Sequence, residues 1–467
     1  MASAELAIPG AEHLPPTLVG EKRFKRVDSI LLYGTFSFLL FGPLAFGAVE
    51  SWAVWVLSLG AALLFALWVW RQMAAGYVRV IPNPVFAPML AFGVLLSFQV
   101  VFRLSAYAYA TESASLLYCI YAVFSFMASQ HLRRTTQVKT VAWLLTGYGF
   151  AIALFALVQS LSATEKLYWS RTAEIGGWIY GPYVSHNHYA GLMEMLFPIA
   201  LVLALNRSVH RNFRWVPAFA AVLMAGTIFL SGSRGGMIAF VAQIILLGTL
   251  LARDKNRRST WIVFAVLLVI AVLTLCVGGQ ALVSRIGTIG TRAHTDLDFG
   301  VRWKIDRDGL HMFAEKPLLG WGLGTFPVAY PQFRSFYTDK FTNHAHNDHL
   351  QFLVETGLLG FATALWFVFC LYRAALRKLQ GWDSNLNGAV ALAALLGCTG
   401  ILAHSFLDSN LQVPANAALF YTLAAIAAAN TQFGSHRRVR HHHKSGSWFP
   451  VSVPQSAVDG TPVNAAQ

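Results

Sequence analysis

Charge is what this sequence has least of. Only 12% of its 467 residues are charged, against about 25% in an ordinary soluble domain, which is too little to cover a water-facing surface. Cysteine is scarcer still. The four residues, Cys119, Cys276, Cys370 and Cys398, all fall inside apolar runs and show no metal-ligand spacing. That excludes a disulfide framework and redox chemistry, because thiols in such runs behave as small hydrophobes. Also missing is an early apolar core with a small-residue cleavage site, since the first 27 residues are polar and carry proline. No cleavable signal is expected, and the first apolar run is expected to stay as an anchor.

Apolar surface is abundant. The chain is 56% hydrophobic, with 34 Phe and 14 Trp and a mean hydropathy of +0.53. Runs long enough to cross a bilayer, roughly 20 residues each, recur along most of the chain. The expected fold is all-α: a polytopic helical membrane protein of about twelve transmembrane helices with one large periplasmic loop. The spans are expected near 28–49, 51–71, 83–102, 112–131, 139–161, 186–205, 214–232, 234–252, 260–279, 349–373, 386–405 and 409–430.

The formal charge of +14 raises the question of nucleic acid, but the basic residues lie in short clusters between apolar runs. Lys22, Arg23, Lys25 and Arg26 precede the first run, which predicts a cytoplasmic amino terminus. Clusters around Arg71, Arg133, Arg207, Arg253, Arg373 and Arg437 then fall on the same side, and the opposite loops carry few. This divides the chain into a cytoplasmic segment 1–27, nine helices over 28–279, a periplasmic loop 280–348, three helices over 349–430 and a cytoplasmic tail 431–467. The loop is itself basic, but loops longer than about 60 residues translocate largely regardless of charge. Its aromatics, among them Trp303, Trp321, Tyr330, Phe333, Tyr337 and Phe341, speak against disorder. The tail, with "RRVRHHHK", reads as disordered chain touching anionic lipid.

With that topology four helix starts share one membrane face and carry the unusual polar groups. They are "SHNHYAG" around Asn187, "SGSRGG" around Arg234, "NHAHNDHLQ" over 343–351, and "HSFLDSN" with His404 and Asp408. Helix amino termini offer free N–H groups and a partial positive charge that favour anions such as phosphate. Plainer readings stand beside this one. Arg234 fits an interfacial arginine, Asn187 a helix cap, and His404 and Asp408, four apart, a local pair. Glu194 lies deeper and is expected to be neutral or paired within the bundle. The cluster His344, His346, Asp348 and His349 also admits a metal site, although alternate residues of a helix diverge and only 346 and 349 would share a face. Imidazole as a general base is the alternative, and an interfacial belt with no chemistry is the third.

From His346 the sequence reads His-Asn, nine residues, Gly357, two residues, Gly360. This resembles the signature of the bacterial O-antigen ligase superfamily, which includes polysaccharide polymerases and protein O-oligosaccharyltransferases. "SGSRGG" and "GVRWKIDRDGLHMFAEKPLLGWGLGTF" from Gly300 are similar to other landmarks of that family, and the resemblance covers about 180–425. It implies glycan transfer from an undecaprenyl-pyrophosphate carrier to an acceptor hydroxyl, lipid A-core or another glycan, on the outer face of the inner membrane. It assigns pyrophosphate binding to Arg234 and Arg302 and hydroxyl activation to His346, with inversion at the anomeric carbon. Neither metal nor cofactor is implied, because the activated donor carries the energy. Asn187, His344, Asn347, His349, Glu355, His404 and Asp408 are supporting candidates. A polymerase with a lipid-linked acceptor uses the same donor and remains an alternative. A lipid-linked sugar transporter is a further one, although transporters place polar groups near the bilayer midplane. The expected partners are the donor, the acceptor and membrane lipid, with no nucleic acid.

Overall fold

The computed structural model describes residues 24–162, 166–172, 179–252, 299–338 and 341–429. Outside the described residues lie most of the segment 1–27, the span expected near 260–279 with Cys276, the early part of the 280–348 loop, and the 431–467 tail. The basic residues Arg253 to Arg258 and Arg437 to Arg440 lie there too.

The described residues form thirteen α-helices: α1 (Lys25–Leu44), α2 (Ser51–Ala75), α3 (Phe86–Val101), α4 (Ala108–His131), α5 (Thr135–Leu161), α6 (His186–Leu205), α7 (Trp215–Leu230), α8 (Arg234–Ala252), α9 (Phe299–Glu315), α10 (Phe326–Ala329), α11 (Asp348–Leu376), α12 (Leu386–His404) and α13 (Pro414–Ala428). The one sheet among them is a hairpin of β1 (Lys166–Leu167) and β2 (Arg171–Thr172), with Leu167 opposite Arg171. Nine helical segments of the described residues are long and apolar enough to cross a membrane. The chain is an all-α, multi-pass membrane protein.

Two helices are shorter than their apolar runs suggest. The run near 409–430 becomes a helix only from Pro414, because residues 405–413 leave helical geometry to build a turn, with a 3-10 segment at Asn410–Gln412. Proline at the first helical position fits that start, its missing N–H being unneeded there. The resulting fifteen residues rise about 22 Å, short of the roughly 30 Å of a hydrocarbon core. Helix α3 is similarly short, at 16 residues. The innermost of the long helices is α6, 94% buried over its apolar window, packed on α7 and α12 with the Tyr189 hydroxyl donating to Thr227 at 2.8 Å.

The segment before α11 has its own small core. Ile305 and Met312 of α9 pack with Phe326, Tyr330, Ala345, Leu350 and Val354. Tyr330 donates to Asp308 at 3.2 Å, and the Trp321 indole donates to the Met312 carbonyl at 2.7 Å. Three of the loop aromatics, Trp321, Tyr330 and Phe333, therefore serve packing, whereas Trp303, Tyr337 and Phe341 are exposed.

Helix α11 is broken at Gly357, where φ is +65° and ψ is −169°. The break frees backbone groups, and the 317–322 segment takes them up. Trp321 and Gly322 donate to the carbonyls of Val354 and Glu355 at 3.1 and 2.8 Å, while Leu358 donates to Pro317 at 2.8 Å. Gln99 of α3 donates to Leu319 at 2.6 Å. No side chain fits at 357, because a Cβ there would lie 2.3 Å from the Leu318 oxygen. The loop is thus stitched into the helix that follows it, and the glycine spacing of the motif is the stitch.

Gly357→Ala is expected to cost more than the roughly 1–3 kcal/mol of a strained backbone conformation, because the clash with Leu318 adds to it. A thermal-unfolding series in detergent checks this; a melting temperature equal to wild type would mean the break is not needed.

Candidate active site

The start of α6, the approach to α11, the turn after α12 and helix α9 converge on one carboxylate. Asp408 sits one turn past the end of α12, its amide donating to the His404 carbonyl at 3.1 Å, and its side chain is almost fully buried. Its Oδ1 accepts from His346 Nδ1 at 3.1 Å and from the Ser409 amide at 2.8 Å. Its Oδ2 accepts from Asn187 Nδ2, at the start of α6. The Arg302 guanidinium stands 3.9 Å from Oδ2 and donates to the neighbouring Leu407 carbonyl. Burial alone would raise the Asp408 carboxyl. The hydrogen bond from His346 and the charge of Arg302 reverse this and hold it well below the ordinary carboxylate value. Asp408 is an anion that anchors an imidazole.

His346 lies outside α11. Its φ of +55° is a left-handed conformation, which costs a side-chain-bearing residue about 1–3 kcal/mol and recurs at functional sites. Asn347 next to it caps α11, its Oδ1 accepting from the Leu350 amide at 3.2 Å. The expectation that 346 and 349 share a helical face therefore fails for a local reason: the helix begins only at Asp348, after its Asn cap.

The four members of the possible metal cluster face different partners. His346 turns to Asp408. Asp348 accepts from the Ser405 hydroxyl and the Leu411 amide, both at 2.8 Å. His349 Nε2 lies 3.0 Å from the Leu402 carbonyl, with its ring against Phe406. Burial pushes the His344 imidazole down to about 4, so it is neutral near pH 7, and its Nδ1 is unpartnered among the described residues. Among the described residues no group of three His, Cys, Asp or Glu is arranged to hold a metal ion.

His404 and Asp408 do not pair through their side chains. His404 Nδ1 turns inward to Glu194 Oε1 at 2.8 Å, both groups fully buried. Glu355 takes no part in the Asp408 cluster. It accepts from the Gly324 and Phe326 amides at 2.8 and 3.1 Å and from Gln351 at 3.1 Å, so it holds the loop down on α11. Gln351 in turn accepts from the Ala345 amide at 3.0 Å, beside His346. Arg234, the first residue of α8, is exposed at the same end.

Residues that the sequence alone did not single out complete the site. Asp306 stands one turn after Arg302 on α9; burial raises its carboxyl, opposed by a hydrogen bond with Asn347 and the charge of Arg302. Arg302 Nε, Asp306 Oδ1 and His344 Nδ1 are buried without partners among the described residues. Buried polar atoms are rarely left so, and a group of them here suits a polar ligand. The i, i+4 spacing of Arg302 and Asp306 was the available signal for the latter. On the apolar side, a cavity of about 410 Å³ opens between α3, α4 and α11, lined by Phe92, Tyr118, Tyr121, Phe352 and, at one end, His349 and Phe406.

Residues 219–365 match the family model described as O-antigen ligase. The match takes in Arg234, Arg302, His346 and Gly357 and stops before His404 and Asp408. No curated protein matches the chain.

Because Asp408 is held below its ordinary value, its stabilising effect is full above about pH 4 and is lost as pH falls toward the depressed value. The difference in melting temperature between wild type and Asp408→Asn should therefore stay constant from pH 8 to 5 and shrink only below pH 4. A difference that fades between pH 7 and 5 would contradict the assignment.

Proposed function

We propose that this multi-pass membrane protein, which carries an O-antigen ligase family domain over residues 219–365, transfers a glycan from undecaprenyl pyrophosphate to an acceptor hydroxyl. The preferred acceptor is lipid A-core. The site faces the periplasm from the inner membrane, with both termini cytoplasmic. The observation that carries the reading is the hydrogen bond between Asp408 and His346 Nδ1.

With Nδ1–H committed to Asp408, His346 presents the lone pair of Nε2 to a substrate. Asp408 fixes that tautomer and steadies the imidazolium that forms, as the acid does in a Ser-His-Asp triad. The acceptor O–H gives its proton to Nε2 as its oxygen bonds to the anomeric carbon. The bond from that carbon to the carrier phosphate breaks, and its electron pair leaves on undecaprenyl pyrophosphate. Attack from the opposite face inverts the anomeric centre. Negative charge grows on the leaving group, so arginines aimed there favour the transition state over the ground state. Arg302 supports this role through its buried unpartnered Nε, and Arg234 through its exposed place at a helix start. Arginine keeps its charge and offers a fixed fork of donors to phosphate oxygens. The 410 Å³ apolar cavity beside His349 and Phe406 offers room for hydrocarbon of a lipid-linked substrate.

The test is transfer by purified protein in lipid, supplied with undecaprenyl-pyrophosphate-linked glycan and lipid A-core in the presence of chelator. His346→Ala should lower the rate by about 10²–10⁴, the range of a lost general base. Chains lengthening on the carrier would make the protein a polymerase. Transfer by His346→Ala at the wild-type rate would reject the catalytic role, and absence of any transfer by wild type would favour transport.

A further inference from the structure

Below the Asp408 cluster lies a second polar contact that the catalytic steps do not use. Asn187 and Glu194 are seven residues apart on α6 and so share a face. Asp408 and His404 are four apart at the end of α12. The two elements are therefore bridged twice. One bridge is Asn187 to Asp408 at the site, and the other is Glu194 to His404 at 2.8 Å, with both side chains fully buried. A carboxylate deep in a membrane protein is costly unless partnered, and hydrophobic residues would pack α6 on α12 without it.

The far side of the His404 ring shows what the pair touches. His404 Nε2 stands 3.5 Å from Ser233 Oγ, and that oxygen accepts from the Gly236 amide at 3.0 Å. Ser233 is thus the cap of the first turn of α8, which begins with Arg234. The ring also lies directly over Gly235, where a Cβ would come 2.5 Å from His404 Cδ2. At Gly236 a Cβ would come 2.8 Å from Ala190 Cβ and 3.2 Å from Glu194 Oε1. The two glycines after Arg234 are the surface on which His404 and α6 sit. One oxygen of the pair, Glu194 Oε2, has no partner among the described residues.

We infer that Glu194 and His404 are positioning residues that seat the first turn of α8, and with it Arg234, against the turn that carries Asp408. Nδ1–H of His404 donates to Glu194, which fixes the ring plane. The other nitrogen faces Ser233 and the ring edge faces Gly235, so rotation of the ring would shift the start of α8. The pair touches no substrate. It sets the distance between the arginine, at the start of α8, and the histidine base, in the segment before α11.

This inference rests on the pyrophosphate role proposed for Arg234, and its test reads binding rather than turnover. The dissociation constant for undecaprenyl pyrophosphate is measured in nanodiscs for wild type, Arg234→Ala, Glu194→Ala, Glu194→Gln and the Arg234→Ala/Glu194→Ala double variant. Arg234→Ala and Glu194→Ala should each weaken binding by tenfold or more. The double variant should be no weaker than Arg234→Ala alone, because the second change acts through the residue already removed. Glu194→Gln, whose amide oxygen still accepts from His404, should stay within threefold of wild type. Ser233→Ala, which leaves the buried pair intact, should weaken binding threefold or more and covers the case in which Glu194→Ala does not fold. Wild-type affinity in Glu194→Ala or Ser233→Ala, or single effects that multiply in the double variant, would overturn the inference. Transfer by His346→Ala at the wild-type rate would instead strike the catalytic reading and leave these affinities to decide the positioning role.

Discussion

A single buried carboxylate organises one end of this bundle. Asp408 accepts hydrogen bonds from His346, Asn187 and Ser409 and lies within 4 Å of Arg302. These residues come from four separate elements: the approach to α11, the start of α6, the turn after α12, and α9. An anion so deeply placed is tolerable only if its partners stay, so the same contacts that stabilise it hold those elements in register. The chemistry proposed for His346 depends on this arrangement, since an imidazole whose Nδ1 is committed has only Nε2 to offer.

The rest of the fold serves that arrangement at increasing distance. The break at Gly357 lets the 317–322 segment bond directly to α11. Glu355 then holds the amides of Gly324 and Phe326, and Gln351 steadies Ala345 beside the histidine. Deeper in the bundle, Glu194 and His404 tie α6 to α12 under Asp408. The opposite end of the helices is built from different materials. There Arg71 and His131 meet Asp28, Arg207 meets Asp383, and Lys378 donates to the Ala427 carbonyl at 2.7 Å. Basic groups are thus pinned at that end, while Arg302 Nε, Asp306 Oδ1 and His344 Nδ1 are left without partners, among the described residues, at the other.

Much of this was legible in the sequence, for identifiable reasons. Long apolar runs report membrane helices directly, because lipid leaves no other way to satisfy the backbone. The polar residues at the starts of α6, α8 and α11 stood out against that background, and the run of His404 to Asn410 did so too. What stayed hidden was pairing across the fold. His404 and Asp408 look like partners at i, i+4, yet His404 turns to Glu194, 210 residues away, and Asp408 turns to His346. Glu355 looked like a candidate near the motif, but its bonds to two loop amides show it to be a brace. Gly357 was visible as part of a spacing, while its reason, a carbonyl 2.3 Å from where a Cβ would be, belongs to a segment that the motif does not include. The late start of α13 at Pro414 was hidden because an apolar run does not say where a turn yields to a helix.

The account stands most directly on the Asp408–His346 contact, and the transfer rate of Asp408→Asn tests it. An amide at 408 can donate to Nδ1 and so move the ring proton to Nε2, which removes the base while keeping the shape. The predicted result is a fall of about 10³–10⁴ in rate, comparable with the loss when the acid of a Ser-His-Asp triad is made an amide, with undecaprenyl pyrophosphate still bound. A rate within tenfold of wild type would contradict it.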